Sequence, residues 1–267
     1  MMFVPKGSLS FIPFVNRYLS DVEYFKNEIQ RIIDHRARNK DSSSKDILSL
    51  LLDGAGNNLT QEKEDLAPLS HSELISNCFI MIVAGHETTA RTLAFALYLL
   101  AKHPDIQRTA QDQIDTIGLN YDSLTHVTNI IKETLRLYPA AVAILRMTTQ
   151  DIEFKGTKLN KGVYVLYMWY LAHIDDKYWD RALEFIPDRW TTDKRNHEFH
   201  YSPFGVGKRS CIGKKFSEIE MVVVLSMILK RYNIKFEKEP YDLDLMVNIT
   251  LRSKNPIHLV FERRDEE

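Results

Sequence analysis

The chain is 267 residues long, 44% hydrophobic and 27% charged, with a formal net charge of −1. That length supports a sizeable core, and the near-neutral balance gives bulk electrostatics no part in holding nucleic acid. Cys78 and Cys211 are the only cysteines, which excludes a disulfide scaffold and fits a reducing compartment.

Residues 1–15, apolar and carrying Pro5 and Pro13, read as a loop or a severed element. Residues 21–38 have apolar positions at helical spacing and read as an amphipathic helix. A polar loop at 39–45 leads to a short helix containing Ile47, Leu48, Leu50 and Leu51. Residues 54–68 read as a loop, and its Gly-Ala-Gly lacks the Lys-Ser/Thr of a phosphate cradle. Ser70 and Glu73 then have capping-box spacing, and Leu69 and Leu74 that of a hydrophobic staple. The helix they open runs to His103, where Pro104 intervenes, a length of roughly 50 Å. Its first half is apolar nearly all round and is expected to lie buried at the centre. The apolar run at 74–85 is interrupted by Ser76 and Asn77 and is too short to span a bilayer. Cys78, within it, reads as an inert core residue.

Residues 105–117 read as a surface helix ending at Gly118, and 127–137 as a further helix closed by Pro139. Residues 152–154 and 163–167 read as strands, with Gly156 and Gly162 between them. A polar loop covers 191–200, and a Val/Ile-rich helix covers 212–232. Residues 234–236 and 257–261 read as short strands. The fold class is mainly α with a minor β-sheet, without internal repeats.

Chemistry concentrates in the run Phe204-Gly205-Val206-Gly207-Lys208-Arg209-Ser210-Cys211-Ile212-Gly213. It ends a glycine-rich loop on a cysteine just before a helix, where unpaired amides favour a thiolate. The three glycines keep side chains away, so a flat cofactor can approach the backbone. Arg209 adds a positive charge two residues from the sulfur. The pattern suits a soft anionic ligand holding a metal from one side. A second constellation, Ala84-Gly85-His86-Glu87-Thr88-Thr89, puts an acid and hydroxyls inside the long helix, where they are costly unless used. Gly85 and a threonine hydroxyl that competes for backbone carbonyls could open a polar notch there. His86-Glu87 is not a zinc-protease motif, because position 90 is Ala. A third, Glu133-Thr134-Leu135-Arg136, places an acid and a base on one helix face. The run Phe185-Ile186-Pro187-Asp188-Arg189-Trp190 could add a second arginine to that pair.

Together, in this order, these motifs resemble the cytochrome P450 family of haem-thiolate monooxygenases from about residue 21 onward. The resemblance implies a thiolate-ligated haem b with Cys211 as the axial iron ligand. It implies Arg209 and Arg146 as partners of the haem propionates, Phe204 as a shield for the sulfur, and Gly205, Gly213 and Ala84 against the cofactor. Glu87 and Thr88 would be the acid and alcohol that deliver protons during oxygen activation, and Glu133, Arg136 and Arg189 a structural triad supporting the cysteine loop. The stretch 140–144, with Val142, Ala143 and Ile144, together with Ala84, would line a hydrophobic substrate, as would residues 246–250. Ala84 stands where some relatives attach haem through a glutamate, so an ester-linked haem is not expected.

The chain is expected to be one partial domain, residues 1–267, the C-terminal haem-binding part of that fold. A long central helix and a cysteine loop before a long helix are its landmarks. The N-terminal half and membrane anchor are expected to be absent. The implied partners are a hydrophobic small molecule, dioxygen and a reductase, with peripheral membrane contact in a full-length form and no nucleic acid. Lys208, Lys214 and Lys215 could dock an acidic electron donor or form a solvated basic face. The implied location is the cytosolic face of the endoplasmic reticulum. A catalytically silent fragment and a haem-thiolate isomerase or dehydratase are the alternative readings. The acid–alcohol pair, which such isomerases usually lack, argues against the latter.

Overall fold

A computed structural model describes residues 13–39, 46–55, 68–192 and 200–264. The expectations for residues 1–12, 40–45, 56–67 and 193–199 lie outside the described residues. The chain divides into two compact units, residues 1–84 and 85–267.

The first unit holds α1 (Pro13–Asn39), α2 (Ile47–Ala55) and the start of α3 (His71–Lys102). Ile29 and Ile33, one turn apart on α1, are buried with Leu74, and Leu48, Leu51 and Phe79 pack on them. Asp46 accepts the Ser49 amide at 2.8 Å, the hydrogen bond of an N-cap at the head of α2. The Ser70–Glu73 capping box is realised. The Ser70 amide donates to Glu73 Oε2 at 2.8 Å, and the Glu73 amide to Ser70 Oγ at 3.3 Å. One expectation is corrected: the first half of α3 is not centrally buried within this chain. Ile80, Ile82 and Val83 are exposed, and it is the second half, Phe95 to Leu100, that carries the core.

In the second unit that half of α3 packs with α4 (Pro104–Ile117), α5 (Thr125–Leu137) and α8 (Lys214–Arg231). Ala96, Leu100, Ile114, Ile130, Met221 and Leu225 form the centre of the core. The helix at 105–117 has more than a surface role. Gln107 and Gln111, one turn apart and buried, face the end of α8 and strand β5 (Tyr232–Phe236). Gln107 donates to the Ile234 carbonyl at 2.9 Å and accepts the Ile234 amide at 2.6 Å. Gln111 donates to the Tyr232 carbonyl at 3.1 Å.

The strands form antiparallel pairs. They are β1 (Ile144–Met147) with β4 (Tyr164–Tyr167), β2 (Ile152–Phe154) with β3 (Thr157–Leu159), β5 with β8 (Leu259–Arg263), and β6 (Leu245–Val247) with β7 (Leu251–Ser253). Short helices α6 (Trp169–His173) and α7 (Arg189–Thr192) flank an irregular stretch, residues 174–188.

A buried ionic knot organises that stretch. Glu133 is fully buried and accepts from Arg136 Nε at 3.0 Å and Nη2 at 2.8 Å. It also accepts from Arg189 Nε at 2.9 Å, the Ile186 amide at 3.1 Å and Trp190 Nε1 at 3.0 Å. The remaining guanidinium hydrogens go to carbonyls. Arg136 reaches His173 at 2.7 Å, Ala182 at 2.5 Å and Glu184 at 3.0 Å, and Arg189 reaches Asp180 at 2.9 Å. His173, also fully buried, accepts the Ser202 amide through Nε2 at 3.0 Å and stacks on Tyr201 with ring centroids 5.5 Å apart. Burial pushes its imidazole down to about 3 from an ordinary 6.5.

Removing one partner of a buried ion pair leaves the others uncompensated. Glu133→Gln is therefore expected to destabilise the chain by about 3–5 kcal/mol, read from the urea midpoint. A loss below about 1 kcal/mol would contradict the arrangement. The His173 imidazole gives a second expectation. Between its unfolded and folded pKa the unfolded chain binds the extra proton, so stability rises with pH across that window. As pH falls from about 6.5 toward 3, this group should remove about 1.4 kcal/mol per pH unit. Urea unfolding of a His173→Gln variant, which keeps an acceptor for Ser202, should lack that part of the acid slope.

Candidate functional site

The loop after Ser202 is fixed by its own backbone. The Gly205 amide donates to the Ser202 carbonyl at 2.9 Å and the Cys211 amide to the Phe204 carbonyl at 2.8 Å. Between them a 3₁₀ turn, Gly207–Arg209, closes with the Ser210 amide on the Gly207 carbonyl at 3.0 Å. Gly205 and Gly207 have φ of 71° and 72°, a left-handed backbone that a β-carbon would strain. Gly213 differs. It is the N-cap of α8 with φ −85°, and a β-carbon there would meet Cys211 Sγ at an ordinary 3.9 Å. Nothing in this chain's own packing requires glycine at 213.

Cys211 is a free, exposed thiol. A cavity of about 390 Å³ is lined by the loop from Tyr201 to Gly207 with Ser210 and Lys214, and Cys211 is not among its walls. The thiol opens to the surface instead, next to exposed Ile212 and just ahead of exposed Phe216 and Ile219 on α8. The Phe204 ring packs on the core, with Lys214 Nζ 5.9 Å from its centroid. Arg209 is exposed and makes no hydrogen bond or ion pair among the described residues. Arg146, exposed on β1, donates only to the adjacent Leu145 carbonyl at 3.2 Å.

The acid and hydroxyls at 87–89 lie on uninterrupted α-helix, so Gly85 does not break α3. Thr92, one turn on, donates its hydroxyl to the Thr88 carbonyl at 3.0 Å, so a threonine hydroxyl does compete for a backbone carbonyl in this helix. Glu87 Oε1 accepts from Arg91 Nε at 2.9 Å and Nη2 at 2.5 Å, and from Thr250 Oγ1 at 3.2 Å. The Arg91 hydrogen bonds lower the Glu87 pKa most. Burial opposes them, and the Arg91 charge, Thr250 and Arg252 add to the lowering. Ala84, exposed, is the last residue of the first unit. Val142, Ala143 and Ile144 are half-buried ahead of and at the start of β1. Their segment is held by Trp169 Nε1 on the Ala141 carbonyl at 2.7 Å and by the Leu251 amide on the Ala140 carbonyl at 2.9 Å.

Glu133, Arg136 and Arg189 are thus in direct contact, and Phe204, Gly205, Arg209 and Cys211 share one loop. Sequence reading missed His173 and Tyr201, and it took Trp190 and Thr250 only as members of the runs 185–190 and 246–250. Each acts through a hydrogen bond or ring contact to a distant segment, and local spacing carries no trace of that.

The residues fit a haem. Among the described residues no group of three or more His, Cys, Asp or Glu could hold a metal ion. A metal on Cys211 would therefore draw its other ligands from a cofactor. The donor is a single soft sulfur, approached over a glycine backbone, with an apolar border at Ile212 and Phe216 and two arginines without carboxylate partners among the described residues. No helix of the described residues is long and apolar enough to cross a membrane.

Comparison with known proteins agrees. The Cytochrome P450 family model matches residues 2–260. The chain is 35% identical to Cytochrome P450 3A13 of Mus musculus and 33% identical to Cytochrome P450 3A7 of Homo sapiens, in each case over 92% of this chain and 50% of the relative. It is 31% identical to Cytochrome P450 3A6 of Oryctolagus cuniculus over 94% of this chain and 52% of the relative. The chain spans about half the length of the curated relatives it matches. With the match running almost from end to end of the sequence and across the cysteine loop, the chain belongs to the cytochrome P450 family.

Proposed function

We propose that this chain carries the thiolate-donating part of a haem-thiolate monooxygenase, which places one atom of dioxygen in a hydrophobic organic substrate and releases the other as water. The observation that carries the reading is the exposed Cys211 thiol, held by its own amide on the Phe204 carbonyl three residues ahead of α8. A haem on that sulfur would supply an iron able to bind and reduce dioxygen, with the thiolate pushing electron density toward O–O cleavage.

The chain's own residues have distinct tasks. Cys211 donates the sulfur, and the left-handed turns at Gly205 and Gly207 keep β-carbons off the approach. Arg209 and Arg146 offer exposed guanidinium groups to carboxylates on the cofactor rim. Glu87, a half-exposed carboxylate kept ionised by Arg91, takes protons from water and passes them inward beside the Thr88 hydroxyl. The knot of Glu133, Arg136 and Arg189 supports the cysteine loop through His173, whose ring takes the Ser202 amide. Val142, Ala143 and Ile144 present apolar surfaces to the substrate. Lys208, Lys214 and Lys215 are exposed around the loop and suit an acidic electron-donating reductase. The endoplasmic reticulum surface, with an electron donor on its cytosolic side, is the setting this reading calls for.

Haem reconstitution followed by a carbon monoxide difference spectrum tests the assignment. The chain should give the long-wavelength Soret band of thiolate ligation, and Cys211→Ser should lose it. An unaltered band in Cys211→Ser would refute the reading. In haem-loaded protein, Glu87→Gln and Thr88→Ala should keep the thiolate band. Each should lower product formed per electron pair by about tenfold or more, the scale of a lost proton-transfer group, with peroxide taking up the difference.

A further inference from the structure

The C-terminal hairpin reaches Glu87. Its turn, between β6 and β7, is closed by the Asn248 amide on the Thr250 carbonyl at 3.3 Å. It is anchored by Leu251, which is buried and donates its amide to the Ala140 carbonyl at 2.9 Å. The hairpin register, with Val247 opposite Leu251, puts Ile249 at the tip, 92% exposed, and turns the Thr250 side chain inward to 8% exposure. From there Thr250 Oγ1 donates to Glu87 Oε1 across 163 residues of sequence.

All the hydrogen bonds to this carboxylate fall on one oxygen. Oε1 takes both Arg91 bonds and the Thr250 bond, and Oε2 has no hydrogen bond among the described residues. Arg91 alone sits on the same helix one turn away and moves with it. Thr250 comes from a separately anchored element and fixes the carboxylate from outside the helix. Arg91 on α3 and Arg252 on β7 are the charged groups that face it.

We propose that Thr250 is a positioning residue for Glu87. Its hydroxyl pins Oε1 in register with the β6–β7 turn, so that Oε2 is the oxygen that takes and releases protons. The proposal rests on the reading of Glu87 as the proton-delivering acid. It also ties proton delivery to the turn whose next residue, Leu251, is bonded to the Ala140 carbonyl.

The test uses the full chain with ¹³C-labelled glutamate carboxyls, the Glu87 resonance being assigned by its loss in Glu87→Gln. Thr250→Val, which keeps the shape and removes the donor, should raise the Glu87 midpoint by about 0.3–0.5 pH unit, a two- to threefold change in the protonation equilibrium. Thr250→Ser should restore it. In haem-loaded protein Thr250→Val should also lower product per electron pair at an unchanged thiolate band, and Thr250→Ser should recover the yield. An unmoved midpoint, or a moved midpoint with unchanged yield, overturns the proposal. Absence of the thiolate band in the unsubstituted chain instead overturns the monooxygenase reading, while the carboxyl titration still reports on the Thr250 contact.

Discussion

A carboxylate with no exposure to water dictates how the chain between α6 and α7 is arranged. A bare charge in a medium of low dielectric is prohibitively costly, so Glu133 is tolerable only where donors surround it. They come from its own helix through Arg136, from the irregular chain through the Ile186 amide, and from α7 through Arg189 and Trp190. Two arginines against one acid leave a positive excess. It is met by backbone carbonyls of residues 173, 180, 182 and 184. Those of residues 180, 182 and 184 belong to chain without helix or sheet, and that of 173 ends α6, so no ladder would satisfy them. A trio of apolar residues can often replace a buried ion cluster without loss. Here it would strand the carbonyls, so the charges do work that volume alone cannot.

The consequence reaches the sulfur through short links. Arg136 holds the His173 carbonyl, and the ring of the same residue takes the Ser202 amide and lies on Tyr201. The Tyr201 hydroxyl donates to the Lys132 carbonyl at 3.2 Å, which returns the link to α5. Burial raises the pKa of that phenol, so it remains a donor. Ser202 then starts the turn that ends with Cys211 on Phe204. The thiol is left exposed on a segment whose backbone is fixed at both ends. A side chain on a backbone held this way has little freedom left to lose, which is the advantage of building on pre-ordered supports.

Legibility in the sequence follows how far each signal travels along the chain. Ser70 with Glu73, and Glu133 with Arg136, are three residues apart, and helical geometry alone puts them together. The cysteine loop was legible because it is continuous. Strands β1, β3, β6 and β7 went unread, being three or four residues long and stabilised by pairing that the strand does not itself encode. Gln107 and Gln111 looked like ordinary surface amides on an amphipathic helix. Their partners at 232 and 234 lie more than a hundred residues away. His173 and Thr250 belong to the same class, single polar residues whose meaning is set by contacts across the fold.

The first half of α3 is a case of a different kind, because the pattern was read correctly and the expectation still failed. Apolar residues all round a helix report the surroundings in which the sequence works, whereas exposure reports only what the described chain brings to that helix. Ile80, Ile82 and Val83 are each about half exposed and leave apolar surface in water, worth about 1 kcal/mol per side chain if the remainder were covered. The same half packs Leu74 and Phe79 against Ile29 and Ile33, so its apolar residues are divided between a covered face and an uncovered one. Apolar content all round a helix therefore does not distinguish a buried helix from one that is covered on one side, and only the packing around it separates the two.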